Sequence, residues 1–114
     1  MSLTVYHLKT CDTCRKAIKA LRDSHTLNLV DVRADGVPDA AIKDWISVVG
    51  YGAILNTRST TWRGLSEGEK ANIDADKALS LLSAHPTLIK RPVITDGDIL
   101  TIGWKADAQK TWLS

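Results

Sequence analysis

The segment Cys11-Asp12-Thr13-Cys14-Arg15 decides how the rest of this chain is interpreted. It follows a short apolar run, residues 3–8, with the pattern of a strand, and it opens a segment with helical character. A cysteine at such a strand-to-helix junction lies where free backbone N–H groups and the helix dipole favour a thiolate over a thiol. Both cysteines of the chain lie in this segment, so we expect the chemistry of the protein to be centred here.

Length, composition and charge exclude several classes of protein. The 114 residues, 44% of them hydrophobic, predict one packed domain over residues 1–114. No apolar run approaches the roughly 18 residues that span a bilayer, and no secretory signal pattern is present, so we expect a cytoplasmic protein without a membrane partner. A net charge of +2 without a block of like charges argues against nucleic acid as a partner. In a reducing cytosol, two closely spaced cysteines indicate reactive thiols.

The order of helix and strand patterns predicts an α/β fold. Strands at 3–8 and 27–32 flank a helix at 13–23, which predicts a parallel β-α-β unit. Further helices are predicted over 38–49 and 76–84, with a capping box at Ser66 and Glu69, whereas 55–64 has no clean period. Two strands around Asp96-Gly97 and a helix over 106–113, with Trp112 facing inward, complete the chain. The order matches a thioredoxin-like architecture, β-α-β plus β-β-α with a helical insertion between the halves.

The Cys-x-x-Cys spacing indicates thiol chemistry, because the first thiol can attack a sulfur and the second can resolve the mixed disulfide. Arg15 and Lys16 add positive charge near Cys11, so we expect a lowered pKa for this thiol. Cys14 is either the resolving thiol or a small buried residue on the inner face of the helix, and the sequence leaves both open. No metal site is expected, since a second cysteine pair is lacking and the three histidines are scattered.

Several other side chains are candidates for the same site. His7, four residues before Cys11, either tunes the thiolate or caps the strand end. Three arginines have the planar fork that matches oxyanions and carboxylates, although composition alone favours a solvated surface role for each: Arg58, Arg63 and Arg91. Pro92 precedes the predicted strand at 93–95, where thioredoxin-like domains place a cis proline facing the reactive cysteine.

Three separated motifs in this chain resemble the arsenate reductase family of thioredoxin-like proteins, most closely its YffB-type branch. They are Val5-Tyr6-His7 with residues 11–17 at the front, Leu55 to Arg63 in the middle, and Ile89-Lys90-Arg91-Pro92-Val93 behind. The resemblance implies that Cys11 is the nucleophile, that Arg58 and Arg91 bind an oxyanion, and that His7 matches the family histidine. Two positions differ from glutaredoxin-linked arsenate reductases: Leu8-Lys9 replaces an Asn-Pro pair, and Ile102-Gly103-Trp104-Lys105 stands where a third arginine is expected.

The resemblance therefore implies a thiol oxidoreductase with glutathione as co-substrate and no bound cofactor. Catalysis is expected from Cys11, Cys14, Arg58 and Arg91, and substrate binding from His7, Arg15, Arg63 and Pro92. The partners would be glutathione or a protein thiol or disulfide, and glutaredoxin. One alternative is an arsenate reductase that uses glutathione and glutaredoxin. The other is a redox-sensing regulator of the Spx type that binds RNA polymerase, a more distant resemblance.

Overall fold

A computed structural model describes residues 2–113 and divides them into two compact units, residues 2–36 with 91–113 and residues 37–90. The strands are β1 (Ser2–His7), β2 (Thr26–Asp31), β3 (Val93–Thr95) and β4 (Leu100–Ile102). The helices are α1 (Asp12–Arg22), α2 (Asp39–Val49), α3 (Tyr51–Ile54), α4 (Thr60–Arg63), α5 (Glu67–Lys70), α6 (Ala75–Ala84) and α7 (Ala106–Leu113), with a 3-10 turn at Pro86–Leu88. None of the helices within 2–113 is both long and apolar enough to cross a membrane.

The first unit is built on a four-stranded sheet with the order β2-β1-β3-β4. β1 runs parallel to β2 and antiparallel to β3, so Val5 lies between Leu29 on one side and Ile94 on the other. β3 and β4 form an antiparallel pair around the predicted turn. Because β1 and β2 are parallel, their carboxyl ends meet at one edge, where His7 pairs with Asp31. The thioredoxin-like fold class predicted from the sequence is confirmed.

The core of the first unit is formed by α1, α7 and the inner sheet residues. Cys14, Ala17, Ile18 and Leu21 recur at helical spacing and make the buried stripe of α1. Ile18 and Leu21 belong to one hydrophobic cluster with Leu3, Val5, Ile94 and Trp112. The predicted inward face of α1 and the inward position of Trp112 are both confirmed, and Trp104 is partly buried against the same cluster.

The second unit is the predicted helical insertion. α2 contacts α6, and their buried residues include Ile42, Trp45 and Leu82; the unit's other tryptophan, Trp62, is half-buried. The capping box at α5 is confirmed, since Glu69 N donates to Ser66 Oγ at 3.2 Å and Ser66 N donates to Glu69 Oε1 at 3.0 Å.

Three short helical segments have no counterpart in the sequence prediction: α3, α4 and the 3-10 turn. Each has three or four residues, which is too short for a hydrophobic period to be recognised. α4 is instead defined by its cap, because Ser59 Oγ accepts a hydrogen bond from Trp62 N at 3.1 Å. α1 begins at Asp12, one residue before the predicted start.

Candidate active site

Cys11 is the N-cap residue of α1 and supplies its sulfur as the capping acceptor. Its backbone is extended, with φ −88° and ψ 111°, and Sγ accepts a hydrogen bond from Cys14 N at 3.4 Å. The chain reaches this position through a turn closed by Cys11 N, which donates to Leu8 O at 2.9 Å. The sulfur thus takes the place of the oxygen of an ordinary N-cap and lies at the positive end of the helix dipole.

The surroundings of Cys11 favour its ionised form. Burial is the largest single influence and raises the pKa of the half-buried Cys11 thiol. The side chain and backbone amide of Cys14 donate hydrogen bonds to the sulfur, and Arg91 adds both its charge and a hydrogen bond. Together these donors bring the pKa of Cys11 below its ordinary value. A thiolate is the reactive form of cysteine, so this environment suits the predicted nucleophile, a role that stays a prediction.

Cys14 has the opposite properties. Its side chain is fully buried on the inner face of α1, and this burial, with the hydrogen bond to Cys11 and the charge of that sulfur, raises the pKa of Cys14 to about 12. It is therefore a protonated thiol near neutral pH and acts as a hydrogen-bond donor to Cys11. This position fits the predicted buried residue, while a resolving role for Cys14 stays a prediction.

Arg91 reaches the site from the segment just before β3. Its guanidinium interacts with the Cys11 sulfur, and the peptide bond between Arg91 and Pro92 is cis. Pro92 is among the fully buried side chains. Within the first unit, the structure thus brings together three of the predicted site residues, Cys11, Cys14 and Arg91.

Arg15 uses its guanidinium within the first turn of α1. Nε donates to Lys9 O at 3.0 Å, and Nη1 forms an ion pair with Asp12 Oδ1 at 3.2 Å. The side chain is 63% exposed, so this ion pair contributes little free energy by itself. These contacts show that Arg15 stabilises the turn before Cys11, and its predicted contact with substrate stays a prediction.

His7 lies beside a buried carboxylate that the sequence analysis missed. Asp31 is only 6% exposed, and its pKa is lowered foremost by a hydrogen bond from Ala34 N, against the opposing effect of burial. Hydrogen bonds from Arg33 N and Lys9 N and the charge of His7 lower the pKa of Asp31 further. The sequence held one signal for Asp31: it stands near the end of the predicted strand parallel to the one that carries His7.

Arg58 and Arg63 belong to the second unit and are both exposed. Arg58 N donates to Asn56 Oδ1 at 3.1 Å, and Arg63 is the last residue of α4. Their predicted roles in binding an anion stay predictions. Within residues 2–113, no group of three or more histidine, cysteine or acidic side chains could hold a metal ion.

The sheet order, the cysteine with a lowered pKa at the start of the first helix and the cis proline before β3 define a thioredoxin-like protein with a cysteine-centred site. Residues 6–111 match the model of the ArsC family. The chain therefore belongs to the ArsC family, which confirms the resemblance to arsenate reductases found in the sequence.

Individual relatives place the chain within this family. It is 42% identical over 103 residues to an uncharacterized protein of Haemophilus influenzae, covering 90% of each chain. It resembles the solved structure of a protein named YFFB with a TM-score of 0.92 and 34% identity, covering 98% of this chain and 99% of the other. The global transcriptional regulator Spx of Streptococcus pneumoniae R6 is 26% identical over 115 residues, covering 97% of this chain and 85% of the regulator. The chain is thus YffB-like, with Spx as a more distant relative.

Proposed function

We propose that this protein is a glutathione-dependent thiol oxidoreductase with Cys11 as its nucleophile. The observation that carries the proposal is the Cys11 sulfur, whose pKa is lowered by donors from Cys14 and Arg91 at the start of α1. Disulfide exchange begins with attack by a thiolate, so a thiol with a lowered pKa is suited to this reaction. Membership in the ArsC family supports the oxidoreductase class.

The reaction exchanges one disulfide for another in two steps. The Cys11 thiolate attacks the glutathione sulfur of a mixed disulfide between glutathione and a second thiol. A bond forms between Cys11 and glutathione, the original disulfide bond breaks, and the released thiolate takes up a proton from water. A second glutathione, as its thiolate, then attacks the glutathione sulfur on Cys11. Oxidised glutathione leaves, and the Cys11 thiolate is restored without any bound cofactor.

Glutathione is better suited than Cys14 to the second step. Cys14 is buried and its pKa is raised to about 12, so little of it is ionised near neutral pH. Part of this rise comes from the hydrogen bond and the charge of Cys11, and this part weakens once Cys11 is held in a disulfide. An internal disulfide between Cys11 and Cys14 is therefore the competing route, the one that a redox-sensing regulator would use.

The positive charge of Arg91 favours binding of glutathione over binding of a neutral thiol. Glutathione carries two carboxylates, and a guanidinium offers several donors to such groups in addition to its contact with the sulfur. The charge of Arg91 also stabilises the Cys11 thiolate that forms when Cys11 is released from the mixed disulfide.

Intact-protein mass spectrometry after treatment with oxidised glutathione tests the proposal. We expect one glutathione adduct on Cys11, absent in Cys11→Ser and retained in Cys14→Ser. An internal disulfide with no adduct in the wild-type chain would contradict the glutathione reaction and support the regulator alternative.

A coupled assay with glutathione, glutathione reductase and NADPH separates the two candidate substrates. With hydroxyethyl disulfide as the probe, we expect NADPH oxidation that requires Cys11 and persists in Cys14→Ser. Turnover with arsenate but not with the disulfide would instead assign arsenate reduction.

A further inference from the structure

The peptide groups of Lys9 are held on both sides by charged side chains. On the amino side, Lys9 N donates to Asp31 Oδ2 at 3.2 Å. On the carboxyl side, Lys9 O accepts from Arg15 Nε at 3.0 Å. We call Asp31, the Lys9 backbone and Arg15 the Lys9 clamp. It joins the end of β2 to the first turns of α1 through the turn that carries the nucleophile.

The clamp acts close to the reactive sulfur. Lys9 stands two residues before Cys11, inside the turn closed by the hydrogen bond from Cys11 N to Leu8 O. Beyond this turn, Cys11 Sγ must meet the amide of Cys14 at 3.4 Å. Hydrogen bonds weaken steeply as their angles deteriorate, so a small rotation of the turn would remove donors from the sulfur. The stability of the turn therefore bears on the ionisation of Cys11.

The anchor of the clamp is itself firmly held. Asp31 is buried, and its Oδ1 accepts hydrogen bonds from Arg33 N at 2.9 Å and Ala34 N at 2.8 Å. These donors use one carboxylate oxygen and leave Oδ2 for Lys9 N. The carboxylate thus links two loops, one after each of the parallel strands.

We propose that Asp31 and Arg15 are positioning residues that keep the Cys11 sulfur on its hydrogen-bond donors through the Lys9 backbone. This inference goes beyond the proposed function, because it concerns the geometry of the thiolate whatever substrate the thiolate attacks. It also gives Arg15 a role in the reaction that needs no contact with substrate.

A positioning role and a simple charge effect predict opposite results for Asp31→Asn. The substitution removes a negative charge near Cys11, so charge alone would lower the pKa of the thiol. When the asparagine side chain places its oxygen at the former Oδ1 position, that oxygen still accepts from Arg33 N and Ala34 N. Its NH₂ group then faces Lys9 N, and two donors cannot form a hydrogen bond, so the clamp is broken. Loss of the clamp would raise the pKa of Cys11.

Other charged groups surround the same end of the sheet and must be kept constant in the test. They are His7 at the end of β1, Lys9 in the turn, Asp12 and Arg15 on α1, Arg33 and Asp35 after β2, and Arg91 before β3. Asp35 offers a matched control, because its Oδ2 accepts from Asp31 N at 2.9 Å and Asp35→Asn keeps an acceptor oxygen.

The experiment measures the rate of Cys11 alkylation by iodoacetamide as a function of pH, with the labelled cysteine assigned by tandem mass spectrometry. We expect Asp31→Asn to raise the midpoint of the profile and to slow alkylation at pH 7 by roughly threefold to tenfold, the range expected for one ordinary hydrogen bond. Asp35→Asn removes a comparable negative charge without breaking the clamp, so its midpoint should stay the same or fall, but not rise. An unchanged or lowered midpoint in folded Asp31→Asn overturns the proposal.

Arg15→Lys provides a second variant on an exposed side chain, where folding is not at risk. Lysine keeps the charge but cannot offer the fork that contacts Lys9 O and Asp12 together. We expect a raised midpoint here as well, and a wild-type profile would overturn the role of Arg15. Alkylation needs no glutathione, so a wild-type protein that forms no glutathione adduct would defeat the proposed function and leave this result standing.

Discussion

At the residue scale, one hydrogen bond helps to give the two cysteines opposite pKa shifts. The hydrogen bond between their side chains lowers the pKa of Cys11 and raises that of Cys14. Their proton equilibria are therefore those of a pair, and the first proton is lost from the sulfur that faces Arg91. A division of this kind assigns attack to one residue and hydrogen-bond donation to the other.

Cys14→Ala tests this division. The variant removes the side-chain donor but keeps the backbone amide of residue 14, so the pKa of Cys11 should rise. We expect alkylation of Cys11 at pH 7 to slow by roughly threefold to tenfold, the range for one ordinary hydrogen bond, because the lost S–H group is a weak donor. Cys14→Ser keeps a hydroxyl donor and should have a smaller effect. Equal rates in Cys14→Ala and the wild type would contradict the donor role.

Arg91→Gln removes the positive charge beside the sulfur, and we expect it to raise the pKa of Cys11, because the thiolate loses a counter-charge and a donor. Arg91→Lys keeps the charge, so the pKa of Cys11 in this variant should lie between those of the wild type and Arg91→Gln. The measurement is the absorbance of the thiolate near 240 nm as a function of pH, an approximate wavelength for the ionised sulfur. Arg22→Gln, at the far end of α1, is the matched control and should match the wild type. A wild-type titration in Arg91→Gln would exclude the predicted interaction.

At the element scale, α1 shows why the first residue of a helix can be difficult to predict from the sequence. Hydrophobic spacing predicted the helix correctly, because its inner face is buried at regular intervals. Its first residue was missed by one position, because sulfur is not among the usual capping atoms and Cys11 was not assigned as the cap. The assignment of Cys11 to the helix start nevertheless followed from its place after a strand.

The turn between β1 and α1 marks the limit of prediction at this scale. Asp31 contacts Lys9 across 22 positions of sequence. A hydrophobic period reports which face of a strand is buried, but it does not report which side chain at the strand end will turn back to a neighbouring loop. The parallel pairing of the strands that carry His7 and Asp31 was implied by the β-α-β order, whereas their register and the three amide donors to Asp31 could be seen only in the fold.

The lowered pKa of Asp31 also leads to a prediction about how the stability of the protein changes in acid. Its pKa is lowered in the folded state by amide donors, so the carboxylate contributes stability above its ordinary pKa of 3.8 and loses this contribution as pH falls through the folded value. Urea unfolding at neutral pH and near pH 3, an approximate point below the ordinary value, should show a smaller acid loss of stability in Asp31→Asn than in the wild type. The same acid loss in both proteins would contradict this role.

At the scale of the whole molecule, the order of elements was predictable and the grouping of residues was not. The order of strand and helix patterns along the chain predicted the two halves of the fold and the helical insertion between them. Contacts then divide the described chain into two units, 2–36 with 91–113 and 37–90. The single domain predicted over 1–114 stays a prediction that unfolding can test.

Leu21→Ala and Leu82→Ala probe the cores of the two units, one in each. Both side chains are fully buried, so each truncation should lower the free energy of unfolding by about 2–5 kcal/mol. Each unit holds about half of the chain, near the size at which isolated domains become marginal, so we expect one shared transition in circular dichroism. Val48→Ala, 61% exposed, is the control with little effect. Two separate transitions, each shifted by only one variant, would contradict a single domain.

The four tryptophans are distributed evenly between the two units. Trp104 and Trp112 lie in the first unit and Trp45 and Trp62 in the second, and each unit pairs a buried indole with a half-buried one. Indole emission shifts to longer wavelength when water reaches the ring, so the chain carries intrinsic fluorophores in both of its parts. Variants that keep a single tryptophan would turn each unit into its own optical reporter, with no dye attached near the reactive sulfur.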